Sequence, residues 1–199
     1  NPTPTTFQTT EVPGAQNAVE IEEGLEPDTE YCFQVSAVTP ANYHLDIDWN
    51  QMLVNECNAA PVLTRLDTYE RVSLYESPIF QRDGEGNRLL RHKLKHPIAH
   101  HFGDPPFRTA IRDEVCDGFV VGGGVSSLLQ IAAQAAAFDK PFFLQVVGTG
   151  LTTALSVQLG AVLEMAQWPA VNCLNMYSDD LLTTPLTIQD GYVRVLAGP

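Results

Sequence analysis

Apolar and polar residues alternate at two different periods along this chain. Between residues 25 and 37 the apolar residues fall on every second position, which predicts a half-buried β-strand. From residue 43 onward short apolar runs alternate with stretches of helical spacing. Predicted strands cover 43–51, 72–79, 97–104, 116–124, 141–150 and 170–178, and predicted helices cover 55–69, 85–96, 107–115, 126–138 and 152–166. The order favours parallel strands joined by helices, as in a (β/α) barrel.

Two uncharged stretches, 118–138 and 141–163, are each long enough to cross a bilayer. The first contains three consecutive glycines, two serines and two glutamines, and neither stretch is flanked by clustered Lys or Arg anchors. We therefore interpret both as strand, loop and helix and expect no membrane span.

Composition and charge limit the classes of function that the chain can have. The 199 residues carry a net charge of −13, which argues against nucleic-acid binding because phosphates need a basic face. The four cysteines show no CxxC spacing, so buried thiols are favoured over zinc ligands or a disulfide framework. No signal peptide is recognisable at residue 1, and we expect a cytoplasmic protein.

In a (β/α) barrel the functional side chains lie where the strands end. Asp48 and Glu76 end two successive predicted strands, so their carboxylates are expected to converge and to suit a hard cation such as Mg²⁺. The alternative is that both acids are helix caps or surface residues. Further polar candidates follow later strands: His100, His101, Asp117, Gln145 and Asn175.

Five segments in this order resemble the mandelate racemase and muconate-lactonizing branch of the enolase superfamily. They are "LDIDWNQ", "YESPI", "DGFVVGGG", "GTGLTTALSVQLGAVL" and "DGYVRVLAGP", and the resemblance spans about 43–199. It implies a (β/α) barrel with a separate capping domain, one Mg²⁺ ion, and a lyase or isomerase that removes the α-proton of a small carboxylate, for example a sugar acid. The same resemblance implies that an enolate intermediate is stabilised by the metal.

The resemblance also assigns roles. Asp48 and Glu76 are implied to be the first two metal ligands, with Asn50 supporting Asp48. His101 lies closest to the place of the third ligand, where the family carries an acid, while Phe102 occupies that place and Asp104 follows.

The implied catalytic positions are Asp117, His100, Gln145 and Asn175. Glutamine cannot accept a proton, so the family's usual base is missing at Gln145. Asn175 could still donate a hydrogen bond to an enolate oxygen. Lys93 and Lys95 lie in a predicted solvent-facing helix and are not expected to be catalytic.

The N-terminal segment shows a different sequence pattern from the rest of the chain. Residues 20–40 carry the pattern L-x-P-x-T-x-Y-x-F-x-V-x-A, which resembles the end of a fibronectin type III domain. We therefore expect a linker and β segment over 1–42 and an incomplete barrel domain over 43–199, an α/β fold with a short N-terminal β segment. Open sheet edges predict a homo-oligomer. A non-catalytic binding or structural derivative of the barrel remains the alternative to an enzyme.

Overall fold

The computed structural model describes residues 44–189 and 192–195. Five strands form one parallel sheet in sequence order, and a helix follows each of them. The strands are β1 (Leu45–Asp48), β2 (Val72–Glu76), β3 (Ile98–His101), β4 (Gly118–Val121) and β5 (Phe142–Leu144). The helices are α1 (Glu56–Leu66), α2 (Gly84–Lys93), α3 (Phe107–Arg112), α4 (Val125–Ala136) and α5 (Gly150–Val162). The predicted partial (β/α) barrel is confirmed.

Both faces of the sheet are covered. One cluster of buried side chains joins the outer face to the helices and includes Tyr75, Ile98 and Phe119. A smaller cluster of Leu74, Ala99, Val120 and Phe143 fills the inner face. Because parallel strands are buried on both sides, β4 and β5 consist entirely of buried residues.

Local signals explain where two helices begin. Asn55 caps α1, because its side chain accepts a hydrogen bond from the backbone N–H of Asn58. Asp83 caps α2 in the same way, through the N–H of Gly86. These caps set the chain direction immediately after the strand-end loops that carry the polar candidates.

The C-terminal part departs from the prediction. The expected strand over 170–178 is wrong beyond a single bridge, in which Val171 pairs with Gln145 at the end of β5. A 3₁₀ helix, Leu174–Met176, follows. A short antiparallel pair, β6 (Ile188–Gln189) and β7 (Tyr192–Val193), ends the described region. The fibronectin-like stretch over 20–40 and the whole 1–42 segment lie outside the described residues, and the domain boundary after residue 42 remains a prediction.

The two uncharged stretches form β4, a glycine loop and α4, and then β5 and α5. No helix among the residues that the structure describes is long and apolar enough to cross a membrane.

Candidate metal centre

The carboxyl edge of the sheet brings three of the predicted residues together. Asp48 and Glu76 are in register as the last residues of β1 and β2. His101 ends β3, and its Nε2 lies 2.9 Å from Glu76 Oε1. Glu76 and His101 each follow an inner-face residue by two positions, so alternation along the strands places them above the inner cluster.

Glu76 is the most enclosed of the three. Its side chain is 6% exposed, while that of His101 is 46% exposed. Oε1 of Glu76 forms an ion pair with the imidazole of His101, which lies within hydrogen-bonding distance. A buried carboxylate is costly unless a charge or donor satisfies it, and the His101 imidazole meets that need here.

The charges in this cluster influence one another. The hydrogen bond to the Glu76 carboxylate raises the pKa of His101, against the lowering effect of burial, and the negative charges of Glu76 and Asp48 raise it further. Burial also raises the pKa of Asp46, two residues before Asp48, and the charge of Glu76 adds to this effect. Glu76 is therefore coupled electrostatically to both His101 and Asp46.

Asp48 itself is exposed, and its carboxylate bonds to the backbone two residues further along the chain. Its Oδ1 accepts a hydrogen bond of 2.8 Å from the backbone N–H of Asn50. The support that the resemblance assigned to Asn50 is thus provided here by its main chain. As they stand, no three His, Cys, Asp or Glu side chains in residues 44–189 and 192–195 are arranged to hold a metal ion. A site at this edge requires Asp48 to turn toward the Glu76–His101 pair, or water to complete the ligands.

Gln81 is a residue that the sequence analysis missed. This side chain is buried and connects the loops after β2 and β3. Its Oε1 accepts from Ser77 Oγ at 2.6 Å and from the backbone N–H of His101 at 2.8 Å, and its Nε2 donates to the carbonyl of Asp104. Gln81 therefore links the backbone of His101, at the end of β3, to the side chain of Ser77, the residue after Glu76. A glutamine in a loop belongs to no recognisable motif, so the sequence gives no sign of the role of Gln81. Asp46, in contrast, could have been singled out as the other acid of "LDID".

Two predicted catalytic residues lie elsewhere. His100 is fully buried on the helix-facing side of the sheet, where Nε2 lies 3.0 Å from Asn87 Oδ1. Asp117 precedes β4 and is therefore at the amino edge, opposite to the expected strand end. Its carboxylate accepts from Arg91 Nε at 2.7 Å and from the N–H of Ile98 at 2.9 Å. The structure thus places neither side chain beside Glu76, and a catalytic role for His100 or Asp117 stays a prediction.

The two remaining catalytic candidates follow β5 along the chain. Gln145 directly follows β5 and is half-buried. Asn175 falls in the 3₁₀ helix and not in a strand. Lys93 is exposed and pairs with Glu56 on α1, as expected for a residue outside the site.

Comparison with known proteins agrees with this fold. The family described as "Enolase C-terminal domain-like" matches residues 14–199. The chain belongs to this family. The match covers residues 20–40, and nothing in the comparisons supports the fibronectin-like resemblance of that stretch. No curated protein sequence matches.

Solved structures share the fold at low identity. Muconate cycloisomerase from Pseudomonas fluorescens is 21% identical with a TM-score of 0.67, over 78% of this chain and 45% of that one. An enolase from Bradyrhizobium, complexed with magnesium and mandelic acid, is 24% identical with a TM-score of 0.61, over 78% and 42%. A dipeptide epimerase from Cytophaga hutchinsonii, complexed with Mg and the dipeptide D-Ala-L-Val, is 20% identical with a TM-score of 0.62, over 75% and 42%. The chain thus spans less than half the length of these structures.

Proposed function

We propose that this chain carries the cation-binding part of a Mg²⁺-dependent isomerase or lyase of the enolase superfamily, acting on a small carboxylate such as a sugar acid. The observation that carries the proposal is the buried Glu76 carboxylate, which lies beside the imidazole of His101 and is in register with Asp48 across neighbouring strand ends. Two carboxylates in this position suit a hard divalent cation. The magnesium and small-carboxylate ligands of the structural neighbours agree with this choice.

The residues of this chain would have the following roles. Asp48 and Glu76 would hold the cation, with His101 beside Glu76, and a substrate carboxylate would complete its ligands. When bound, such a cation stabilises the negative charge that develops on a carboxylate as its α-proton leaves. Gln145 cannot take that proton, although its amide can donate a hydrogen bond, and the same role is proposed for Asn175.

A second candidate function is cation and carboxylate binding without catalysis. It is favoured by one specific observation, namely that glutamine occupies the end of β5 where the family resemblance implies a base. Loss of a general base typically lowers the rate by about 10²–10⁴. We therefore expect weak Mg²⁺ binding and little turnover by the isolated chain.

Calorimetric titration with Mg²⁺ tests the proposal. Glu76→Gln should weaken binding by at least about tenfold, because one charged ligand is lost. Glu85→Gln serves as the matched control, since Glu85 is exposed on α2 and pairs with Arg88. Equal affinities in the wild type and in both variants would contradict the site.

Activity is tested separately. Deuterium exchange at the α-carbon of a sugar acid, followed by NMR with Mg²⁺ across a range of protein concentrations, separates the two functions. Metal-dependent exchange that Glu76→Gln abolishes supports the enzyme. Cation binding without exchange at any concentration supports the binding derivative.

A further inference from the structure

We infer that two copies of this chain associate through the groove between α3 and α4, about a two-fold axis that brings Arg108 of each copy against Asp139 of the other. The inference is independent of the proposed function, because this groove lies on the helical face and not at the carboxyl edge of the sheet. It also differs from association through open sheet edges. The strands that α3 and α4 follow, β3 and β4, lie inside the sheet.

The groove is apolar and open to solvent. Its volume is about 540 Å³, and its apolar lining consists of Phe107 and Ile111 from α3 together with Ala133, Ala137 and Phe138 from the end of α4 and the turn after it. The ring of Phe138 packs edge-on against that of Phe107, with centroids 5.5 Å apart, and Phe138 is nevertheless 53% exposed. An exposed aromatic ring beside an apolar groove is typical of a surface that a partner covers.

Two exposed charges at this groove have no partner within their own copy. Arg108 lines the groove, and Asp139 directly follows Phe138. Neither side chain makes a hydrogen bond or an ion pair with another residue of the described part of the chain. Lys140, the neighbour of Asp139, is half-buried and donates to the carbonyl of Cys116 instead. One guanidinium and one carboxylate are therefore left for an external partner.

These charges favour a second copy as that partner. An isologous contact presents the same patch from both sides, so Arg108 of each copy meets Asp139 of the other and both charges are paired. The chain carries a net charge of −13, and most of its surface therefore repels a second copy. The face around the groove is an exception, because α4 contains no charged residue and Arg112 is already paired with Asp113.

The size of this face limits the strength of association. The 12 residues of α4 span about 18 Å, and two adjacent helices present a face about 20 Å wide. Such a face buries about 400 Å² per copy, which is roughly half of the area in a stable complex. We therefore expect a reversible dimer that forms at micromolar or higher concentration. The Phe138 rings and two equivalent ion pairs would hold it together.

Sedimentation equilibrium of the full chain, from micromolar to millimolar concentration, tests this inference. The wild type should show a monomer–dimer equilibrium. Arg108→Glu and Asp139→Arg should each weaken association by at least about tenfold, because each substitution places like charges together at two symmetric contacts. The matched control is Arg65→Glu, which makes the same charge change at an exposed position on α1 and should dimerise like the wild type.

An equimolar mixture of the two variants provides a sharper test. In a mixed dimer of Arg108→Glu with Asp139→Arg both contacts again join opposite charges, so dimers should return. A local structural effect of either substitution would not produce this recovery. The backbone of Asp139 is left-handed, with φ at 51°, so circular dichroism must show that Asp139→Arg is folded. If it is not, Ala137→Glu takes its place, and this charge on the groove lining should abolish association.

Each outcome decides the matter. Dimers that the two variants weaken and the mixture restores support the inference, as do dimers that Arg108→Glu and Ala137→Glu both weaken. A wild type that stays monomeric at millimolar concentration overturns it. Dimers that Arg108→Glu leaves unchanged also overturn it, because the contact then lies on another surface. Weakening in both folded variants without recovery in their mixture excludes the pairing of Arg108 with Asp139.

Discussion

His100 and His101 are adjacent in β3, and their side chains lie on opposite faces of the sheet. His101 reaches Glu76 at the carboxyl edge, while His100 is buried against α2 beside Asn87. Asn87 Nδ2 donates to two backbone carbonyls, so its Oδ1 is left to accept from His100 Nε2. Nδ1 of His100 is buried and makes no hydrogen bond within the described chain. A second proton there would be an unpaired buried charge, and burial lowers the pKa of His100 to about 4.

This difference predicts that His100 makes stability depend on pH. An unfolded histidine titrates near pH 6.5, so between about pH 6.5 and 4 the unfolded chain binds more protons than the folded chain. The contribution of His100 is present in full above pH 6.5, falls with the pH through this window, and amounts to about 3 kcal/mol. Urea unfolding at several pH values should show a shallower pH dependence in His100→Gln than in the wild type. His92→Gln, at an exposed position, should keep the wild-type slope, and an identical slope in all three proteins would contradict the prediction.

Gln81 should support both stability and the cation site. Gln81→Leu removes the acceptor for Ser77 Oγ and for the N–H of His101, and leaves both donors without their partner. We expect a loss of about 2–4 kcal/mol in the free energy of unfolding, together with weaker cation binding. Urea unfolding and metal titration measure the two effects. Gln134→Leu on the exposed face of α4 is the control, and equal losses in both variants would show that Gln81 has no special role.

Substitutions at Asp117 and at Asp48 should affect different properties, stability in the first case and cation binding in the second. Asp117→Ala breaks the ion pair with Arg91 and the bond to the Ile98 N–H at the amino edge, so unfolding should become easier by about 1–3 kcal/mol. Metal affinity should remain unchanged in this variant. Asp48→Asn should weaken metal binding and alter stability by less than about 1 kcal/mol, because Asp48 is exposed. The opposite pattern in titration and unfolding would restore Asp117 as a candidate for the site.

Two glycines provide a matched pair of packing tests. A Cβ at Gly118 would lie 2.2 Å from the carbonyl oxygen of Pro141 and 2.5 Å from the Trp168 ring. Gly118→Ala should therefore destabilise the protein by about 3 kcal/mol or prevent folding. A Cβ at Gly160 on α5 meets nothing within 4 Å, so Gly160→Ala should stabilise by about 0.5–1 kcal/mol through helix propensity. Thermal unfolding of the two variants checks both signs, and a tolerated Gly118→Ala would contradict the packing of β4 against this ring.

The sequence alone determined the alternation of strands and helices and the placement of Asp48 and Glu76. Short apolar runs and helical spacing are local properties, and consecutive parallel strands bring their carboxyl ends to one edge whatever the details of packing. The register of β1 with β2 confirms that these acids are neighbours. That they share a cation remains a prediction.

Tertiary structure decided which face each later candidate occupies. Because both faces of the sheet are covered, β3 lacks a polar–apolar alternation that would distinguish the side of His100 from that of His101. Asp117 was misplaced because the residues before and after β4 are both polar or small, so the local pattern does not show at which edge the strand begins. The Gln81 contacts join residues 20 and 23 positions apart along the chain, a separation over which local sequence carries no information. The position of His101 beside Glu76 depends on those long-range contacts, because Gln81 holds the backbone of His101.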